Sequence, residues 1–127
     1  ADWRGALQPQ PQALAYAAHL TALADAAPAL LVAHAYVRYL GDLSGGQTLR
    51  RIVAGSLGLQ GDHGTRFYDF GSPAQVSALA GELRAGLDRI DADEATHAAI
   101  VAEAEQAFVR HERLFGELES ARAALSP

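Results

Sequence analysis

Apolar residues along the chain recur at helical spacing and nowhere alternate with period two, so the pattern predicts an all-α protein without a sheet. Residues 1–12 read as a loop, with Pro9 and Pro11 as breakers. Ala13 to Ala27, rich in Ala and Leu, predicts a first helix with Leu14, Ala17, Ala18 and Leu20 as candidate core positions. Pro28 ends it and suits the first turn of a second helix, which runs to about Leu57. Gly58, Gly61 and Gly64 then mark a loop, followed by the short aromatic run Phe67-Tyr68-Asp69-Phe70. Ser72 before Pro73 reads as an N-cap with proline at the first helical position, opening a third helix to about Ile90. Asp91 or Asp93 caps a fourth helix to about Ala123, with Ile100, Ala104, Ala107 or Phe108, Leu114, Phe115 and Leu118 at helical spacing.

The second helix carries the feature that asks for an explanation. Leu31 to Gln47 has strongly helical flanks yet contains Gly41, Gly45 and Gly46. Each glycine costs about 1 kcal/mol relative to alanine in a helix interior. Such residues suit a bend, or a close approach of the backbone to something bulky. At ~100° per residue, Arg38, Asp42, Gly45 and Leu49 fall within roughly 60° of one another. That stripe carries a cation, an anion, a gap and an apolar residue in order. The gap allows a flat object to lie against bare backbone, Asp42 can hold a water, and Arg38 at i−4 can balance its charge. The same spacing also suits a plain helix–helix crossing with small residues at the contact and an exposed Arg–Asp pair.

Composition narrows the field. With 127 residues, half of them hydrophobic, the chain predicts one domain with a core. The formal charge is −5, which argues against a nucleic-acid binder working through a basic field. All ten cations are Arg. The absence of Cys excludes disulfides, zinc ribbons, Cys-ligated iron–sulfur clusters and thiol nucleophiles. The longest apolar run, Pro28 to Val37, contains His34 and meets Arg38 at once, so no membrane span is predicted. Residues 1–12 show no secretory pattern, and the simplest expected location is the cytoplasm.

His34-Ala35-Tyr36-Val37-Arg38-Tyr39-Leu40-Gly41-Asp42-Leu43-Ser44-Gly45-Gly46-Gln47 closely resembles the distal-helix signature of heme oxygenases. The resemblance continues through Phe67 to Phe70 and through Glu103 to Phe108 with Leu114-Phe115, and so covers most of the chain. It implies a heme-oxygenase-like helical bundle that oxidises heme to biliverdin, carbon monoxide and iron. The reaction uses dioxygen and electrons from a ferredoxin or flavin reductase, and heme is both substrate and cofactor. The implied site places Gly41, Gly45 and Gly46 over the heme. Asp42 anchors a water that delivers the proton needed by the oxygen chemistry, and Arg38 orients and balances Asp42. Leu49 lines the pocket, Arg84 pairs with a propionate in bidentate fashion, and Tyr36 reaches a propionate. Phe108 and Phe115 match aromatic residues near the pocket. Where family members often have a Lys one turn before the Arg, this chain has Ala80, which implies a different propionate anchoring.

The family holds iron through a proximal His on its first helix, well before the distal signature, and runs to about two hundred residues. Asp2-Trp3 resembles the end of a stretch near the family's middle. Residues 1–127 are therefore expected to be the C-terminal portion of one heme oxygenase domain, lacking the proximal helices and exposing apolar faces meant for them. The missing N-terminal half is an expected partner. None of the five histidines replaces the proximal ligand: His19 lies where the family has none, His34 reads as structural, His63 as solvated in a Gly-rich loop, and His97 and His111 as surface residues. No metal ligand is therefore assigned within the chain. Two rivals have sequence features behind them. Glu94 and His97 have the Glu-x-x-His spacing of di-iron carboxylate bundles, though without a second copy. A non-catalytic heme-binding or interaction module would account for the absent proximal ligand.

Overall fold

The computed structural model describes residues 8–125 and is all-helical over that range. Five α-helices carry it: α1 (Pro11–Ala26), α2 (Leu31–Ala35), α3 (Gly41–Leu57), α4 (Pro73–Asp88) and α5 (Glu94–Leu125). Short 3-10 turns sit at Pro28–Leu30 and Arg66–Tyr68, and a π-helical turn at Tyr36–Leu40 joins α2 to α3. The matching stretch at Asp2-Trp3 lies outside the described residues. Among the described residues, no helix is long and apolar enough to cross a membrane.

The chain divides into two compact units. The first holds α1, the Pro28–Leu30 turn, α2 to His34, and α5 from Glu94. Pro11 is not a breaker but the first-turn residue of α1, which starts two residues earlier than the pattern predicts. The backbone N–H of Gln12, one of the donors a helix start leaves unpaired, donates to Glu117 Oε2 on α5 at 2.9 Å. The inward face of α1 corrects the sequence expectation. Leu14 is 56% exposed, and Ala17 and Ala18 are exposed too, whereas Tyr16, His19, Leu20 and Leu23 are half-buried. A helix this rich in alanine has little apolar contrast between its faces, so the few large polar rings decide which side turns in. On α5, Ala107 is fully buried, while Phe108, Phe115 and Leu118 are exposed. Of the alternatives Ala107 or Phe108, the small residue faces the core.

The second unit runs from Ala35 to Asp93. Its core is small: Leu43, Val76 and Ala80 are buried, with Leu40, Phe70 and Leu83 packed against them. Burying Leu43 and Val76 contributes about 2 kcal/mol each. Gly58 ends α3 in the left-handed conformation, φ 62°, so its backbone N–H can turn back onto Ala54 and Gly55 carbonyls. Ser72 caps α4 as predicted: its hydroxyl accepts from the Gln75 N–H, and the Gln75 side chain accepts from the Ser72 N–H, a reciprocal capping box.

The predicted single helix from Pro28 to Leu57 is observed as three local geometries in sequence. It opens in 3-10 form, and it loosens to a π turn at Tyr36–Leu40. The irregularity thus precedes the glycines instead of falling on them. Gly41 has ordinary helical angles (φ −61°, ψ −46°), and neither Gly45 nor Gly46 has positive φ. The glycines are therefore not there for backbone conformation, which leaves space as their physical effect.

Candidate functional site

Asp42 lies in the first turn of α3 and is buried, at 7% exposure. Arg38, one turn earlier in the π segment, donates from Nη2 to Asp42 Oδ1 at 3.0 Å. Its guanidinium also lies 5.3 Å from the centroid of the Phe67 ring, an attraction between cation and ring face. A half-exposed Arg is thereby held by two partners, and its carboxylate partner is screened from bulk water.

The three glycines differ. A Cβ built on Gly41 or Gly45 would meet nothing within 4 Å, whereas one on Gly46 would lie 3.6 Å from the Tyr68 ring. Gly46 is buried against the protein's own aromatic turn, which Gln47 ties down by donating from Nε2 to the Tyr68 carbonyl at 2.8 Å. Gly41 and Gly45 face open space. Tyr36 and Leu49 are exposed, as is Phe67 at 60%. Arg84 is exposed on α4. Phe108 and Phe115 belong to the other compact unit, where both are exposed on α5. The structure thus brings Arg38, Asp42, Gly41, Gly45 and Phe67 into one neighbourhood of the second unit.

A second cluster, in the first unit, was not visible to sequence reasoning. His19 Nε2 and His34 Nε2 both lie on Glu103 Oε1, at 2.6 and 2.9 Å, and Tyr16 Oη lies 2.7 Å from His34 Nδ1. An ionised carboxylate only accepts, so both imidazoles donate from Nε2, and the Tyr16 hydroxyl donates to His34 Nδ1. Burial pushes the His34 pKa down and outweighs the hydrogen bond to Glu103, which favours the charged ring. Burial opposes ionisation of Glu103, yet the hydrogen bonds from His19 and His34 together hold its carboxyl below the ordinary value. His34 is thus neutral and Glu103 ionised. His34 is buried, with both ring nitrogens hydrogen-bonded. His111 is not a surface residue: it is half-buried, edge-on to Tyr16, with Nδ1 donating to the Ala107 carbonyl at 2.7 Å. His63 and His97 are exposed. Among the described residues, Glu94 and His97 join no group of three potential metal ligands.

Residues 1–117 match the heme oxygenase family model. The chain belongs to the heme oxygenase family. It is similar to heme oxygenase 1 of Nostoc sp. PCC 7120, with 41% identity over 119 residues, 94% of this chain and 50% of that protein. Its fold is similar to heme oxygenase-2 from Synechocystis sp. PCC 6803 in complex with heme and NO, with a TM-score of 0.92 and 37% identity, covering 98% of this chain and 53% of the other. Heme oxygenase-1 from the same organism, in complex with heme, gives a TM-score of 0.85 at 37% identity, over 95% of this chain and 54% of that one. The chain spans about half the length of the relatives it matches.

Proposed function

We propose that the chain supplies the distal wall of a heme oxygenase domain, which cleaves heme to biliverdin, carbon monoxide and iron. The observation that carries the reading is bare helix backbone at Gly41 and Gly45 beside a buried Asp42 held by Arg38. A flat apolar macrocycle fits that space, since a side chain at either glycine would occupy it, and exposed Leu49 and Phe67 offer apolar surface nearby. This reading assigns none of the chain's histidines to heme iron. His19 and His34 are committed to Glu103, and His111 to a carbonyl. We assign the proximal ligand, as the family resemblance implies, to the half of the relatives' length that this chain does not span. Among the described residues, thirteen large hydrophobic side chains are exposed, which agrees with faces completed by further helices.

Bound heme supplies the iron that activates dioxygen and the porphyrin edge that is oxidised. The chain's own residues supply shape and protons. Gly41 and Gly45 admit the ring against backbone. Asp42, acceptor-only when ionised, holds a water in the gap and aligns its proton, while Arg38 fixes the orientation of the carboxylate. Arg84 and Tyr36 are assigned to the propionates and Leu49 to the pocket lining, whereas Gly46, packed on Tyr68, is not a contact of the ring. Electrons come from a ferredoxin or a flavin reductase in the cytoplasm.

The test uses a polypeptide of the family's full length carrying this sequence. Hemin, reductant and air should give biliverdin, and Asp42→Ala should abolish it while hemin still binds. Biliverdin at the normal yield from Asp42→Ala would sink the role given to Asp42. Hemin persisting unchanged in the unmodified protein would instead favour a heme-binding module without turnover.

A further inference from the structure

The cluster of His19, His34 and Glu103 takes no part in the chemistry assigned to α3. It is built from three elements, α1, α2 and α5, far apart in sequence. Its donor atoms, two imidazole Nε2 and one carboxylate oxygen, all lie within 4.8 Å of one another. We propose that these three residues form a binding site for one borderline divalent transition-metal ion, of the zinc, cobalt(II) or iron(II) class.

The donor set selects the class. Two imidazoles and one carboxylate suit borderline cations, whereas calcium and magnesium take oxygen donors. The spacing requires little movement. Tetrahedral bonds of about 2.0 Å put neighbouring donors roughly 3.3 Å apart, against 2.6 and 2.9 Å from the two Nε2 atoms to Glu103 Oε1. The carboxylate therefore retreats by about half an ångström to admit the ion. The His34 side chain is only 7% exposed and that of Glu103 12%, while His19 at 24% leaves an entry path.

Outer contacts fit as well. Metal-bound histidines usually engage their second ring nitrogen with a polar partner that fixes tautomer and orientation. Tyr16 stands at that position for His34, at 2.7 Å. Without metal, His34 carries its proton on Nε2 and accepts at Nδ1 from the tyrosine hydroxyl. With metal on Nε2, the proton sits on Nδ1 and the hydroxyl turns to accept it. A hydroxyl does both, so neither state leaves this ring nitrogen unsatisfied. The exchange is balanced: a ring proton changes nitrogen, and nothing is oxidised or reduced. One feature lowers affinity. Arg110, whose guanidinium lies 6.0 Å from the Tyr16 ring centroid, adds a positive charge nearby that disfavours the charged form of His34. With a single carboxylate against it, the site binds moderately and not with the strength of a four-ligand structural zinc site.

The test is a titration of the full chain with Co2+, read by its visible absorption and then by Zn2+ displacement. One equivalent should bind with the band intensity of a four- or five-coordinate ion. His19→Asn and Glu103→Gln should each weaken it by a factor of ~10 to 100 or more, and Tyr16→Phe by ~10. His63→Ala and His97→Ala should leave it unchanged. Affinity equal in the unmodified chain and in Glu103→Gln, or lost in His63→Ala instead, overturns the site. Because a cluster variant can lose its fold, far-UV circular dichroism accompanies each, and one readout needs no variant. The nitrogen-15 NMR signals of His34 should switch from the Nε2–H to the Nδ1–H tautomer on adding Zn2+, and an unchanged tautomer at saturating Zn2+ also overturns it.

Discussion

Two polar groupings in this molecule are built in opposite ways. Arg38 and Asp42 are one turn apart on continuous helix, and the cation is half-exposed. His19, His34 and Glu103 come from three helices, with sequence separations of 69 and 84 residues across the hydrogen bonds. The first pair forms wherever the helix forms and contributes little to stability. The second is a shared-acceptor network in a screened interior, where removing one member strands the others. A local pair thus rearranges at little cost, whereas a non-local cluster holds the fold.

Breaking the cluster should have the largest effect. Glu103→Ala leaves two imidazole N–H donors without their acceptor and should cost about 2–3 kcal/mol. That corresponds to a fall of roughly 10 °C in Tm for a chain of this size, checked by thermal circular dichroism. A loss below about 0.5 kcal/mol would put the cluster in the same class as an exposed pair.

The pH dependence sharpens the same contrast. His34 titrates below its ordinary value of 6.5 in the folded chain, so the unfolded chain binds the proton first. Its contribution is fully present above 6.5 and is lost as pH falls through the lower folded value. Glu103 adds a second loss below 4.5, since its folded pKa is also depressed. Tm should therefore decline on acidification from neutrality, and His34→Gln should flatten the upper part of that decline. Charges facing His34 that enter this balance are Glu103, His19 and Arg110.

Gly45→Ala separates stability from ligand space. Its Cβ meets nothing within 4 Å, so helix propensity alone should stabilise by up to about 1 kcal/mol in urea titration. Hemin affinity of the family-length protein should fall in the same variant. Smallest of all, Arg38→Ala should change stability by under about 0.5 kcal/mol, because the pair is half-exposed and solvent-screened. A larger loss would mean that the Phe67 contact carries structural weight.

What the sequence disclosed follows the same division. The Ser72–Pro73 start of α4, the glycine loop and the Arg38–Asp42 spacing depend on neighbours a few residues away, and each could be read directly. The inward face of α1 could not: with alanine on every side, Leu14 and Ala17 looked as good as Tyr16 and His19. The Glu103 cluster was illegible because each member is an ordinary polar residue on its own helix. Residues 36–40 hold neither glycine nor proline, so the π turn left no local mark. Gly46, which the family resemblance groups with Gly41 and Gly45, differs because Tyr68 arrives from another segment.

The bare backbone at Gly41 and Gly45 sets a clock as well as a space. Side chains normally shelter helical hydrogen bonds from water, and here two peptide groups one turn apart lack that shelter. Segments with few covering contacts open most often, so this turn should be where α3 exchanges its amide protons fastest. A ligand seated on the glycines, as proposed, should slow that exchange, so occupancy there is readable as the lifetime of a hydrogen bond.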